Sequence, residues 1–274
     1  MDVLRYAAFT DDPSGGNPAG IVLDAADASA AEMLAVAAQV GYAETAFVVS
    51  PLHERRVGLR YFSPHAEVPF CGHATVATAV LLGERHGAGT FTFDTPVGAV
   101  ELTTADGRAS FTSVDPLVTE LPAADVDELL DLLGLRHDDL DELHPPRLAA
   151  AGNPHPVLVV RDRARFDGFT VDPLAARRVL DAHGWPATIT VVHRREPLVF
   201  EARNVFPVGT ITEDPATGSA AAAFGGYLRA LGLVEVPARV TIHQGRHVGR
   251  PGLLIVDVPA EGGIVVTGSA VPIG

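Results

Sequence analysis

The segment GHATVATAVLL, Gly72 to Leu82, carries small and aliphatic side chains on nearly all sides. Its content is helical, and a helix that is apolar all round has to be covered all round. The sequence supplies strands to cover it. ETAFVVS and VGLRYFS precede the segment, GTFTFDT and GAVELTTADGRASFTS follow it, and all are rich in β-branched and aromatic residues, with Asp106-Gly107 as a hairpin turn. The expected first half is therefore a sheet wrapped around a central helix that stops near Gly87. An earlier helix is expected from Ser29, which has capping-box spacing to Glu32, up to Gly41.

The same plan recurs further along. GNPHPVLVV at Gly152 echoes GNPAGIVL at Gly16, and ATGSAAAAFGGYLRALG echoes the first buried helix, at offsets of 136 and 145 residues. GNP alone is a common turn, but two echoes in the same order point to internal duplication. Between them, AADVDELLDLLGLRHDDLDELHPP reads as an exposed amphipathic helix and a loop, its charge a solvated face. The boundary between halves is placed close to Pro116. The expected fold class is α+β: two similar halves, each a curled, mostly antiparallel sheet around a central helix. The first half covers 1–116 and the second 117–261, with a C-terminal segment, 262–274, able to return to the first half.

Composition narrows the function. A chain of 274 residues with 47% hydrophobic content can bury a sizeable core. The net charge of −14 and the lack of a basic run argue against a nucleic-acid partner. All twenty basic residues are arginine, which excludes a pyridoxal phosphate Schiff base and the lysine of a phosphate-binding loop. No segment approaches the roughly 20 apolar residues of a membrane span, and the opening MDVLRYAAFTDDPSGG resembles neither a signal peptide nor an anchor. The expected location is the cytoplasm, with no membrane partner. Cys71 is the single cysteine, so one chain can form neither a disulfide nor a Cys-rich metal centre. The eleven histidines show no HExxH or other compact ligand spacing, and no metal is expected.

The candidate site residues sit at two helix starts. Such a start leaves backbone N–H groups without intrahelical partners and carries partial positive charge, so it suits a carboxylate. Small residues surround one start at Gly72 and Ala74 and the other at Thr217, Gly218 and Ser219. Close approach of a ligand and simple helix packing under strands both account for them. If the halves face each other, both sets of donors point into one cleft. Glu44, between apolar flanks, is either a desolvated carboxylate with its pKa pushed up, fit to take and return a proton, or a residue on the wet face of a strand. His73 either donates to a substrate oxygen or satisfies local backbone groups. Asp214, in DPAT, has the signature of a helix cap and could also orient a substrate amine or hydroxyl. Ser219 either binds a substrate carboxylate or lets the helix pack. Cys71 reads as buried filler on its own sequence context.

The series GNPAG, ETAFV, YFSPHAEVPFCGHAT, GNPHPVLVV and EDPATGSA, in this order over nearly the whole chain, resembles the phenazine-biosynthesis isomerase-like (PhzF-like) family within the diaminopimelate epimerase fold. The resemblance implies two α+β halves, an active site in the cleft between them, no cofactor or metal, and commonly a homodimer. It places the proton-transferring glutamate on Glu44, the histidine of GHAT on His73, and the polar substrate-binding residues on Asp214 and Ser219. The related epimerases use two opposed cysteines. Cys71 stands roughly in the first such place, while the second half offers DPAT without a cysteine, so a two-thiol mechanism is excluded.

The expected function is a cofactor-independent isomerase moving a proton between carbons of a small carboxylic acid. Glu44 acts as acid and base, and His73 and Asp214 position the substrate. The alternatives are a two-base epimerase or racemase, and a ligand-binding protein without turnover.

Overall fold

The computed structural model describes residues 1–208 and 211–274. The chain divides into two compact units, one of Met1–Thr112 with Thr267–Gly274, the other of Ser113–Val266.

The first unit opens with β1 (Leu4–Ala8) and β2 (Asn17–Val22). Helix α1 (Ala30–Val40) follows, with the reciprocal Ser29–Glu32 capping box at its start and Gly41 in the left-handed region at its end. Then come β3 (Glu44–Val48), β4 (Arg56–Phe62), the short β5 (Glu67–Val68) and α2 (Gly72–His86). The unit continues with β6 (Gly89–Thr95), β7 (Gly98–Ala105) and β8 (Arg108–Thr112). Asp106 and Gly107 both take positive φ at the β7–β8 hairpin, the backbone that two-residue turns require.

Strand pairing closes this sheet on itself. β1 pairs with β2, β2 with β3 in parallel, β3 with β4, β4 with β6 in parallel, β6 with β7 and β7 with β8. The last strand of the chain, Val265–Pro272, pairs with both β8 and β1. A closed sheet has no edge to protect, and its interior has to be filled. Helix α2 fills it, with ten consecutive residues buried from His73 to Leu82, against β1, β2, β3, β7 and β8. The all-round apolar sequence is thus explained by all-round cover, and Gly87 ends the helix.

The second unit contains β9 (Leu117–Glu120), α3 (Ala123–Leu133), β10 (Arg147–Ala150), β11 (Pro154–Val159), α4 (Arg163–Gly168) and α5 (Pro173–His183). It continues through β12 (Ile189–Glu196), β13 (Val199–Val208), β14 (Ile211–Asp214), α6 (Gly218–Ala230), β15 (Ala238–Gln244) and β16 (Gly252–Val258), before the closing strand β17 (Val265–Pro272). β11 pairs with β12 in parallel, β12 with β13 antiparallel, β13 with β15 in parallel and β15 with β16 antiparallel.

Helix α6 is buried over Gly218, Ala220–Leu228 and packs on β9, β10, β11 and β16. Gly225 and Gly226 sit where a side chain would strike Val256, Ile264 and Pro116, so glycine here sets the distance between helix and cover. Helix α3 turns Val126, Leu129, Leu130 and Leu133 into a core cluster with α5 residues. Only its acidic face is solvated, a narrower exposure than the charge of its sequence suggests.

Candidate active site

Helix α2 begins abruptly. Cys71 is its N-cap, in extended conformation, and its side chain makes no capping bond. The helix start is pinned through the backbone instead: the Cys71 carbonyl accepts from Thr75 N at 3.0 Å and from the Thr75 hydroxyl at 2.6 Å. That hydroxyl also meets Tyr61 at 2.7 Å. The Cys71 thiol is left to point at functional groups. It donates to Oε2 of Glu44 at 3.5 Å and lies 3.4 Å from Nδ1 and 3.7 Å from Nε2 of His73.

Glu44 is the first residue of β3, in parallel register with Ala19 of the GNPAG strand. Its carboxylate is 16% exposed and its Oε2 lies 3.6 Å from Nε2 of His73. Sequence reasoning left open whether Glu44 faced water. The fold withdraws most of it. His73 is buried, and burial pushes its pKa down to about 4, against the raising effect of the bond its ring donates to the Pro18 carbonyl. At neutral pH the imidazole is therefore uncharged, and at 3.6 Å it stands beside Glu44 as a neutral neighbour rather than as a counter-ion. Gly72 and Ala74 occupy the first turn beside them. Three residues from two motifs are brought together here, and Cys71, read from sequence as filler, belongs to the cluster.

The second helix start is built differently from its expected form. Asp214 and Pro215 read as cap and first turn, yet the N-cap is Thr217 and α6 begins at Gly218. Gln244, buried at the end of β15, explains the shift. Its side-chain oxygen accepts from Thr217 N at 3.1 Å, and its amide donates to the Asp214 carbonyl at 2.7 Å and the Thr217 hydroxyl at 2.9 Å. These bonds hold the chain extended through Pro215 and supply the cap. The Asp214 carboxylate instead accepts from the Thr217 hydroxyl at 2.5 Å. Its neighbour Glu213 is buried against Arg203, whose guanidinium also donates to the Phe166 and Phe169 carbonyls. That pair fixes β14 and hence the position of Asp214.

Ser219 meets a residue that sequence reasoning quoted but did not assign. His155, fully buried, places Nε2 at 3.2 Å from the Ser219 hydroxyl and Nδ1 at 3.2 Å from the Thr188 carbonyl. Nδ1 also lies 3.0 Å from the Thr188 hydroxyl, whose own proton goes to Asn204 Oδ1, and a carbonyl only accepts, so Nδ1 carries the proton and Nε2 offers its lone pair. The Ser219 hydroxyl then donates to His155, leaving its own lone pairs for a partner that donates. Burial pushes the pKa of His155 down to about 4, which keeps the imidazole neutral. The available signal was the histidine directly after the second GNP turn. In each unit a residue of a GNP motif touches the start of the central helix: Pro18 reaches His73, and His155 reaches Ser219.

A family model described as phenazine biosynthesis-like protein matches residues 6–274. The chain belongs to that family. Relatives in it carry isomerase names. The chain is 32% identical to an uncharacterized isomerase of Bacillus subtilis, over 98% of this chain and 96% of that one. It is 30% identical to the trans-2,3-dihydro-3-hydroxyanthranilate isomerase of Pseudomonas chlororaphis, over 93% and 88%. The crystal structure of the PhzF-family phenazine biosynthesis protein of Bacillus anthracis superposes with a TM-score of 0.86 at 27% identity, covering 100% of this chain and 98% of that one. No helix among the described residues is long and apolar enough to cross a membrane.

Proposed function

We propose that this member of the phenazine biosynthesis-like family is a cofactor-independent isomerase that moves a proton between two carbons of a small carboxylic acid, with Glu44 as the acid and base. The setting of Glu44 carries the reading: a carboxylate largely withdrawn from water, faced by a thiol and an uncharged imidazole. Withdrawal from water makes a carboxylate a stronger base.

In the first step a Glu44 oxygen takes the C–H proton, and the electron pair left behind spreads into the substrate's adjoining unsaturated system. In the second step the protonated Glu44 returns that proton to a different carbon, the double bond shifts, and the carboxylate is restored. Acid–base transfer supplies on the order of 10² to 10⁴ in rate. Stabilisation of the substrate carboxylate, or of enolate-like charge, by the N–H groups of the α2 start at Gly72 to Ala74 adds to it. His73 positions the substrate as a neutral hydrogen-bond partner.

In the second unit, Asp214, Gly218 and Ser219 are assigned to ligand binding. Asp214 orients an amine or hydroxyl. Ser219, with its own proton on His155, accepts from a ligand donor. The reading treats the two units as equivalents, supported by the same alternation of parallel and antiparallel pairs beside α2 and α6. It also takes the protein to be a homodimer, which sedimentation measures.

The hydroxyanthranilate-type substrate named for the Pseudomonas relative sets the class to try first: cyclic acids bearing amino or hydroxyl groups, screened by thermal shift. A second reading is an epimerase pairing Glu44 with Cys71; it requires the two to part, because its bases act from opposite faces of one carbon and here they touch at 3.5 Å. Turnover in D₂O separates the two. A single base shielded from water leaves some product with the original hydrogen at its new carbon, whereas a second base already equilibrated with solvent delivers deuterium almost completely. Substantial internal transfer supports the isomerase.

A further inference from the structure

Strand β15 turns Val240, Ile242 and Gln244 to the interior, and all three are buried. The first two are apolar, as a strand face against a core requires. Gln244 ends the row with a primary amide, and a buried amide is costly unless its polar atoms are bonded. Its printed partners all lie in the turn between β14 and α6: Thr217 N, the Asp214 carbonyl and the Thr217 hydroxyl.

These partners admit one orientation of the amide. The Thr217 N–H only donates, so Oε1 faces it, and the Asp214 carbonyl only accepts, so Nε2 faces that. Nε2 also donates to Thr217 Oγ1, whose own proton goes to Oδ2 of Asp214. Donation therefore runs in one direction, from Gln244 through Thr217 to the Asp214 carboxylate, and each bond in such a chain polarises the next. Thr217 is the N-cap of α6, yet its side chain makes no capping bond. Its hydroxyl serves the carboxylate instead of the helix. Gly245 brings the strand end close enough for this: it takes a φ of +82°, and a side chain there would come within 2.4 Å of the Pro215 carbonyl oxygen and 2.3 Å of the Arg250 carbonyl oxygen.

We propose that Gln244 is a positioning residue for ligand binding in the second unit: acting through the Thr217 hydroxyl, it holds the Asp214 carboxylate in the orientation that receives the ligand's amine or hydroxyl. The inference rests on the assignment of Asp214 to ligand binding made under the proposed function.

The test measures kcat and KM of the full chain with trans-2,3-dihydro-3-hydroxyanthranilate, the substrate in the name of the Pseudomonas relative, in wild type and in variants checked for native circular dichroism. Gln244→Glu keeps the shape and the acceptor for Thr217 N but loses both donated bonds. Thr217→Val removes the hydroxyl while keeping the branched shape, with no capping bond to lose, and Thr217→Ser keeps the hydroxyl. KM should rise by about tenfold in Gln244→Glu and in Thr217→Val with kcat little changed, and stay within about twofold of wild type in Thr217→Ser. The double variant Gln244→Glu/Thr217→Val should be no worse than either single one, because both break the same chain. The Thr217 pair decides the matter even where the buried charge of Gln244→Glu disturbs the fold. Wild-type KM in Thr217→Val, or Thr217→Ser as impaired as Thr217→Val, overturns the proposal. Asp214→Asn separates it from the reading beneath it: a raised KM there with Thr217→Val unaffected overturns the positioning role alone, whereas a wild-type KM in Asp214→Asn removes the assignment of Asp214 and the positioning role with it.

Discussion

The hydroxyl of Ser219 lies 3.2 Å from Nε2 of His155, a residue 64 positions earlier in the chain. His155 is itself held by the Thr188 carbonyl, so the serine's proton has one destination and its lone pairs face away from the histidine. If the pair acts as a unit in ligand recognition, Ser219→Ala and His155→Gln should each raise KM by about tenfold with little change in kcat. The double variant should cost little more than either single one, which is a coupling of about 1.4 kcal/mol, the size of one tenfold loss. Simple additivity in a double-mutant cycle would show that His155 only fills space.

The two buried histidines also make stability depend on pH. His73 and His155 are each pushed down to about 4 by burial, while an unfolded histidine titrates near about 6.5. Between these values the unfolded chain binds more protons than the folded one, so this contribution is complete above about pH 6.5 and is lost as the pH falls toward 4. Urea unfolding at a series of pH values should show stability declining through that window, with a slope of close to two protons per chain from these two residues and a further part from His243 and His247, which burial also lowers. His155→Gln should remove close to one of them. Stability that stays flat across the window would contradict the burial of both imidazoles in neutral form.

Cys71 touches Glu44, yet proton transfer by a single carboxylate needs no thiol. Cys71→Ala should therefore keep activity within about tenfold of wild type. A loss beyond about a hundredfold, about 2.7 kcal/mol of barrier, in a normally folded variant would move the assignment to an epimerase that uses the thiol as its second base.

Much of this arrangement was legible because it follows from local chemistry. The Ser29–Glu32 capping box, the Asp106-Gly107 turn and the stop at Gly87 are each fixed by a few neighbouring residues, and the helix from Gly72 declared its burial by lacking a polar face. What escaped depends on contacts between distant segments. DPAT has the composition of a helix cap, but Gln244, thirty residues further on, satisfies the Asp214 carbonyl and moves the cap to Thr217. His155 was visible only as part of a turn motif, because nothing in GNPHPVLVV shows that its ring reaches Ser219. Cys71 looked inert in sequence because its partner Glu44 comes from another strand. A polar residue directly after the second copy of a repeated turn is the pattern that would have pointed to His155.

The central claim is that Glu44 carries the proton, and Glu44→Gln tests it most directly. The amide keeps the shape of the side chain and loses its basicity. With a substrate found by the thermal-shift screen, the variant should keep the ligand-induced rise in Tm while kcat falls by at least about a hundredfold. An intact fold, retained ligand binding and turnover at the wild-type rate would contradict the account.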